Sequence, residues 1–308
     1  ATSRLTSPET SSWRRSVRRC MFLGSASLLV YTLPALAATT TRVFGGVPVV
    51  SPAHVLSPHE LAHAHWRAVL EHGGPRLCVV DATAGNGRDT LRLLECLALS
   101  GGGVLWACDV QADAISSAQA QLRAALEGVW QISLEEPRQD ADIEAQLTQS
   151  VFRREGGALA TARWRLRRFD GLCIELCWRH GCHQELLTEL PASCAQLVVF
   201  NLGYLPGGNK SVVTTATTSV SAVRAAERVI CAGGSISAML YSGHEEGALE
   251  SQALLSHARK APQSSWSVYH HSWLNQRSKR TGTPAPSLLL LQRLHDAAQD
   301  KERSEGAC

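Results

Sequence analysis

The sequence predicts an α/β fold in which a mostly parallel sheet carries helices on both faces. Short apolar runs alternate with segments of helical periodicity, first around 77–81 and 103–108 and again around 197–200 and 235–241. Within one sheet this alternation gives parallel strands joined by right-handed crossovers. The 308 residues, 44% of them hydrophobic, can bury the core of one such domain and leave no room for a second catalytic domain.

A first helix is predicted at about 54–71, where Ser57 and Pro58 supply an N-cap and a first-turn proline. Seven strands are predicted at 77–81, 103–108, 163–169, 197–200, 235–241, 266–273 and 286–294. Further helices are predicted at 88–99, 111–126, 214–230 and 246–260. The last two strands form an antiparallel hairpin around 275–285, and an exposed insertion with a short helix interrupts the series at about 131–160. The domain therefore spans 54–295.

Both ends of the chain differ from this domain in composition. Residues 1–42 are rich in Ser, Thr and Arg and carry six arginines against one glutamate, a net charge of +5. Because the whole chain has a net charge of +3, the remaining residues carry about −2. This composition favours an organellar transit segment, chloroplast before mitochondrion, with a secretory or twin-arginine signal as the alternative. Residues 296–308 are expected to be a flexible tail. No other segment is apolar enough for a membrane span, so no membrane partner is expected after processing.

A glycine turn follows the first strand and predicts a nucleotide cofactor. Gly85 and Gly87 allow a tight turn and a close approach to a ligand at the start of the next helix. Asp109 ends the second strand 22 residues after Gly87, near the spacing at which an acid accepts hydrogen bonds from a ribose. A lone G-x-G is a moderate signal, but the paired acid strengthens it.

The residues around the turn favour S-adenosylmethionine over a dinucleotide. Thr90 stands where a dinucleotide fingerprint has its third glycine. Asp81 and Asp89 add negative charge, which suits an ammonium and a sulfonium better than a pyrophosphate. An NAD-dependent oxidoreductase is the more remote alternative.

A second motif, Asn201-Leu202-Gly203-Tyr204, follows the fourth strand at the sheet edge where ligands bind. It resembles the Asn/Asp-Pro-Pro-Tyr tetrapeptide of amino-methyltransferases, whose side-chain oxygen accepts a hydrogen bond from the substrate amine. Asn201 and Tyr204 are therefore the predicted catalytic residues. Around them, Lys210, His244 and the polar loop Asn275, Gln276 and Arg277 are predicted to contact the substrate or an RNA backbone.

Five soft ligands lie close together in the sequence but do not have zinc-site spacing. They are Cys173, Cys177, His180, Cys182 and His183. The interpretation is a helix carrying free thiols in a reduced compartment, with no metal; structural zinc is the alternative.

Four motifs in order, D-A-T-A-G-N-G-x-D-T, N-L-G-Y-L-P-G-G-N-K, Y-S-G-H and L-N-Q, resemble the MnmM (YtqB-like) tRNA wobble-uridine methyltransferases from about 54 to 294. The resemblance implies a Rossmann-like class I methyltransferase that uses S-adenosylmethionine, with tRNA as its partner. The implied reaction is N-methylation of 5-aminomethyl-2-thiouridine. With the glycine turn, the expected cofactor-binding residues are Asp81, Thr83, Gly85, Asn86, Gly87, Asp89, Asp109, Gln111, Asp170 and Gly171.

The chain departs from the family pattern at three places. After the third predicted strand it has Asp170-Gly171-Leu172 in place of Asp-Ser-His, its last loop is longer and more basic at 277–286, and it carries the insertion at 131–160. The alternative functions are methylation of another RNA such as rRNA, methylation of a small-molecule amine, and RNA binding without catalysis. The sequence is compatible with a homodimer.

Overall fold

The protein is described by a computed structural model, which covers residues 42–44, 47–49, 57–73, 77–135, 161–203, 215–277 and 282–295. The predicted transit segment up to residue 41, the insertion beyond residue 135, and the tail lie outside these residues. Tyr204 and Lys210 also lie outside them.

Eleven strands are described, of which β1 and β2 pair with each other and the other nine form the main sheet. The strands are β1 Arg42–Phe44, β2 Val47–Val49, β3 Cys78–Asp81, β4 Gly103–Asp109, β5 Gln131–Glu135, β6 Ala162–Arg167, β7 Cys173–His180, β8 Ala195–Asn201, β9 Ile230–Leu240, β10 Trp266–His271 and β11 Ser287–Arg293. The main sheet has the order β10-β11-β9-β8-β3-β4-β7-β6-β5. Its central strands β9, β8, β3, β4 and β7 are parallel to one another. At each end of the sheet, the two outer strands pair with their neighbours in antiparallel fashion.

Helices cover both faces of the sheet, as predicted. They are α1 Pro58–Glu71, α2 Arg88–Leu99, α3 Ala112–Leu126, α4 His183–Glu189, α5 Ala216–Val229 and α6 Glu245–Ala258. One apolar core joins α1, α2 and α3 to the sheet, and a second joins α4, α5 and α6 to the other face. Successive residues of β3 alternate between them, with Val79 in the first core and Val80 in the second, both fully buried. Burial on both faces explains the unbroken apolar runs of the central strands.

The prediction of seven strands was wrong, because the main sheet has nine. β5 lies at the start of the predicted insertion, and β7 replaces the predicted thiol-bearing helix. Its side chains alternate: Ile174, Leu176 and Trp178 enter the first core, and Cys177 enters the second. That period of two is a strand signal, which the cysteines and histidines in and after this segment obscured.

The strand predicted at 163–169 also has a different role from the one expected. β6 is antiparallel to β7, and β7 is the strand that pairs in parallel with β4. The third parallel strand is therefore β7, and its carboxyl end is His180, opposite Asp109. None of the helices described is long and apolar enough to cross a membrane.

Candidate active site

The glycine turn joins β3 to α2 at the carboxyl edge of the parallel strands. Gly85 and Gly87 have φ angles of 49° and 79°, in the left-handed region that favours glycine. The amide of Gly87 donates to the carbonyl of Ala84 across 2.7 Å and closes the turn. A Cβ on Gly87 would lie 2.7 Å from Cδ1 of Leu122 in α3, so the turn packs directly on the next helix.

Asp109 ties the turn to the end of β4. Its Oδ2 accepts from the amide of Gly85 and its Oδ1 from the amide of Gln111, each at 2.9 Å. Each carboxylate oxygen has a further lone pair, so Asp109 can still accept hydrogen bonds from two ribose hydroxyls. Nearby, Ser117 of α3 donates to Oδ1 of Asn86 across 3.4 Å.

Asp81 is fully buried beneath the turn. It accepts from the hydroxyl of Thr90 at 2.6 Å and from the amide of Thr83 at 3.2 Å. Burial raises its pKa to about 7, and the negative charges of Asp89 and Asp109 add to this effect, while the two hydrogen bonds oppose it. Three carboxyl groups thus share one edge of the sheet, where a cationic ligand would relieve their repulsion.

These residues fit S-adenosylmethionine. The three carboxyl groups match the positive charges of its sulfonium and ammonium, whereas a pyrophosphate would meet repulsion. Asp109 has lone pairs free for a ribose, and the turn offers a close backbone approach. The charge and the hydrogen-bond capacity of this edge therefore agree with the cofactor predicted from the sequence.

Asn201, at the end of β8, lies across this edge from the turn. Its backbone amide donates to the hydroxyl of Thr83 at 2.7 Å, and its side-chain nitrogen donates to Oδ2 of Asp89 at 2.9 Å. Nε2 of His63 lies 3.6 Å from the other oxygen of Asp89. Burial alone would raise the pKa of Asp89, but the contacts with His63 and Asn201 outweigh it and lower that pKa.

Two further side chains complete this part of the site. Tyr241, which follows β9, is within hydrogen-bonding reach of Asn201, and burial raises the pKa of its phenol to about 12. Its hydroxyl lies 3.1 Å from Nε2 of His59. A small pocket opens here, lined in part by His59, His63, Asp89 and Asn201.

His59 and His63 belong to none of the sequence motifs, and Tyr241 belongs to the Y-S-G-H motif, which predicted a role only for His244. His59 and His63 are four residues apart in α1 and therefore lie on one face of it, together with the buried Ala62 and Trp66. Histidines on the apolar face of a helix were the available signal. The position of α1 against the sheet edge, which makes them part of the site, is a tertiary feature.

Two predicted cofactor residues lie elsewhere. Asp170 and Gly171 form the turn between β6 and β7, next to the start of β7, which pairs with Gly103 at the start of β4. They therefore lie at the other edge of the sheet, far from Asp109, where Arg168 forms an ion pair with Asp170. The expectation requires a parallel strand that ends at Asp170, whereas β6 runs antiparallel to β7.

The carboxyl end of the true third parallel strand brings His180 and His183 to the cofactor edge. Nε2 of His180 lies 3.2 Å from the carbonyl of Val110. His183 stacks edge-on against Phe200, with ring centroids 5.8 Å apart. Burial lowers its pKa, although a hydrogen bond to the backbone of Ala82 and the charge of Asp109 act in the opposite direction.

The predicted substrate residues within the described chain lie at the same edge as Asn201. His244 caps α6, since its Nδ1 accepts from the amide of Gly247 at 3.0 Å. Asn275, Gln276 and Arg277 follow β10, whose end pairs with the start of β11 and so reaches the carboxyl edge. Asn275 and Arg277 are exposed, and Arg277 donates to the carbonyl of Gly282 across 3.1 Å.

Among the described residues, no group of three or more His, Cys, Asp or Glu is arranged to hold a metal ion. Cys173 and Cys177 lie at the start and middle of β7, whereas Cys182 and His183 begin α4 beyond its far end.

Comparison with known proteins agrees with this architecture. The family described as "Putative rRNA methylase" matches residues 156–285. A curated relative, the tRNA (mnm(5)s(2)U34)-methyltransferase, chloroplastic, of Arabidopsis thaliana, is 32% identical over 221 residues, which are 70% of this chain. The matched segment spans 64% of that relative's length.

Solved structures share the fold. A Clostridium thermocellum protein with the same rRNA methylase description has a TM-score of 0.54 at 21% identity, covering 78% of this chain and 99% of its own. A Streptococcus mutans protein in complex with SAH has a TM-score of 0.51 at 23% identity, with the same coverage of both chains. These likenesses establish a Rossmann-like class I methyltransferase fold with a mixed sheet.

Proposed function

We propose that this chain is a member of the tRNA wobble-uridine methyltransferase family and transfers a methyl group from S-adenosylmethionine to an amine on a tRNA wobble uridine. The proposed substrate is 5-aminomethyl-2-thiouridine, and the product is its methylaminomethyl form. The Arabidopsis relative supports this choice, because its name describes a methyltransferase acting on U34 of tRNA. That relative is chloroplastic, so we also propose an organellar location, with chloroplast favoured over mitochondrion.

The orientation of the Asn201 side chain is the observation that carries the proposal. Its nitrogen faces the carboxylate of Asp89 at 2.9 Å, so its oxygen is left to accept a hydrogen bond from a ligand. An amine offers such an N–H and has a lone pair to attack with. An acceptor opposite a cofactor turn is therefore suited to aim an amine nitrogen at the cofactor.

The chain's contribution to the reaction is then mainly positioning. When bound, S-adenosylmethionine supplies an electrophilic methyl group on a sulfonium. Asp109 and the glycine turn would hold its ribose, and Asp89, with the buried Asp81 beneath the turn, would attract its positive charges. Asn201 would hold the amine, and holding two reactants in line provides several kcal/mol in well-oriented systems. The half-buried position of Asn201 also favours the neutral, nucleophilic form of the amine.

The remaining predicted residues complete the proposal. Tyr204 is proposed as the second catalytic residue, and Lys210 and the exposed polar residues after β10 are proposed to contact the RNA backbone. The chain carries about −2 outside its first 42 residues, so RNA contact depends on such local groups.

The test replaces Asn201 with alanine. Methylation of tRNA carrying 5-aminomethyl-2-thiouridine, followed by mass spectrometry of nucleosides, should fall by about a hundredfold or more, the cost of misplacing one reactant. Calorimetric binding of S-adenosylmethionine should change little. Gln252→Ala, an exposed position in α6, is the control and should leave both unchanged. Undiminished turnover in Asn201→Ala would overturn the assignment, and methylation of rRNA but not tRNA would change the substrate and keep the class.

A further inference from the structure

Five side chains, together with one turn of α1, form a polar ring at the site. His63 contacts Asp89 at 3.6 Å, and Asp89 accepts from Asn201 at 2.9 Å. Asn201 is within hydrogen-bonding reach of Tyr241, whose hydroxyl is 3.1 Å from Nε2 of His59. His59 and His63 are four residues apart in α1, so the ring begins and ends on one turn of that helix.

The direction of each hydrogen bond in the ring follows from the chemistry of its members. Asp89, whose pKa is lowered, is a carboxylate and only accepts, so the nitrogen of Asn201 faces it. Tyr241 keeps its proton at neutral pH, since burial raises its pKa to about 12. Burial lowers the pKa of His59, although Asp89 opposes this, so a neutral His59 accepts the phenol proton at Nε2. The phenol oxygen is then free to accept the second N–H of Asn201.

Both amide hydrogens of Asn201 are thereby bound by protein. Only its oxygen remains for a ligand, and a rotation of the amide by 180° would place that oxygen against the Asp89 carboxylate. The charged and titratable groups that face the ring are Asp81 from β3, Asp89 from α2, and the two histidines from α1. The ring therefore selects one of the two amide orientations.

We propose that His59 and His63 are positioning residues, which hold the amide of Asn201 with its oxygen toward the substrate amine. His59 acts as the acceptor for Tyr241, and His63 packs against Asp89, with Nε2 3.6 Å from the carboxylate oxygen that Asn201 does not contact. Neither residue has to touch the substrate. The inference rests on the proposed amine methylation, but the ring itself can be tested without catalysis.

The kinetic test compares two substitutions of His59. Glutamine keeps an acceptor at about the same distance from the backbone, whereas alanine removes it. The kcat of His59→Ala for tRNA methylation should fall about three- to tenfold, the value of one lost hydrogen bond. Its KM for tRNA and its affinity for S-adenosylmethionine should stay within about twofold, and His59→Gln should recover most of kcat. His257→Gln, which changes a histidine paired with Glu227 at 2.9 Å on the other face of the sheet, is the matched control.

The structural test follows the histidines of the full chain by 15N NMR. In Tyr241→Phe the neutral form of His59 loses its hydrogen bond, so the titration of His59 should move to higher pH while that of His257 does not. An unchanged His59 titration, or an unchanged kcat in His59→Ala, would overturn the inference and leave the proposed function intact. If instead the wild-type chain methylates no tRNA, the proposed function fails, and the NMR result alone decides whether the ring fixes Asn201.

Discussion

The side-chain nitrogen of Asn201 donates to Oδ2 of Asp89 across 2.9 Å, which joins the end of β8 to the first turn of α2. Asp89 follows Gly87 by two residues, so the turn proposed to hold the cofactor and the proposed amine acceptor share one rigid connection. A change at Asp89 should therefore alter how the two reactants are aligned, beyond any direct contact with the cofactor.

We expect Asp89→Asn to lower the rate of tRNA methylation by about 10- to 100-fold at saturating cofactor. The hydrogen bond to a charged group is worth about 1.5–3 kcal/mol, and the neutral amide no longer dictates which way Asn201 points. Single-turnover kinetics measures this rate without product release. Glu95→Gln, in the same helix and paired with Arg92 at 2.6 Å, should leave the rate unchanged. A rate within twofold of wild type in Asp89→Asn would show that the contact has no role in alignment.

Asp109 and Asp170 provide a direct test of which strand end holds the cofactor. Asp109→Ala removes the acceptor of the Gly85 and Gln111 amides and should weaken binding of S-adenosylmethionine by about 10- to 100-fold. Asp170→Ala, at the opposite edge of the sheet, should leave the affinity unchanged. Isothermal titration calorimetry on both variants measures the difference. Equal losses would mean that the cofactor reaches the turn between β6 and β7.

The central βα units could be predicted from sequence because their signals are local. Each signal, whether an apolar run, the glycine turn or the caps Ser57 and Glu60, involves residues only a few positions apart. The predicted bounds of α1, α2, β3 and β4 therefore lie within a few residues of the observed ones. Asn201 was also placed opposite the turn, because parallel strands end at one edge.

The errors arose where strand direction decides position. β6 and β7 form a hairpin, and nothing in Arg163 to Asp170 indicates whether the strand runs with or against β4. A parallel β6 would put Asp170 at the carboxyl edge of the sheet. The strand that pairs in parallel with β4 is β7, and it brings His183 to that edge instead. The histidines of α1 were missed for a similar reason, since only the packing of α1 against the end of β9 brings His59 to Tyr241.

Asp81 should make the stability of the cofactor-free protein depend on pH. Its pKa is about 7 in the folded state against an ordinary 3.8, so between these values the folded state keeps a proton that the unfolded state has lost. The free energy of unfolding should therefore fall as pH rises through this window, by about 1.4 kcal/mol per pH unit from this group. Asp81→Asn should remove this slope, whereas Asp113→Asn, at an exposed position in α3, should keep it. Urea unfolding at pH 5, 6 and 7 measures the slope, and parallel curves for wild type and Asp81→Asn would contradict the assignment.

Comparing Gly87 with Gly128 separates two reasons for glycine at a left-handed position, namely backbone strain and the lack of space for a Cβ. Their φ angles are 79° and 77°, so alanine costs about 1–2 kcal/mol of backbone strain at either position. At Gly87 the new Cβ would also meet Leu122 at 2.7 Å and Ala118 at 3.0 Å, whereas at Gly128 nothing lies within 4 Å. Overpacking adds about 1–3 kcal/mol, so Gly87→Ala should lower the free energy of unfolding by that much more than Gly128→Ala. Urea unfolding of both variants measures the difference, and equal losses would mean that α3 moves away from the turn without cost.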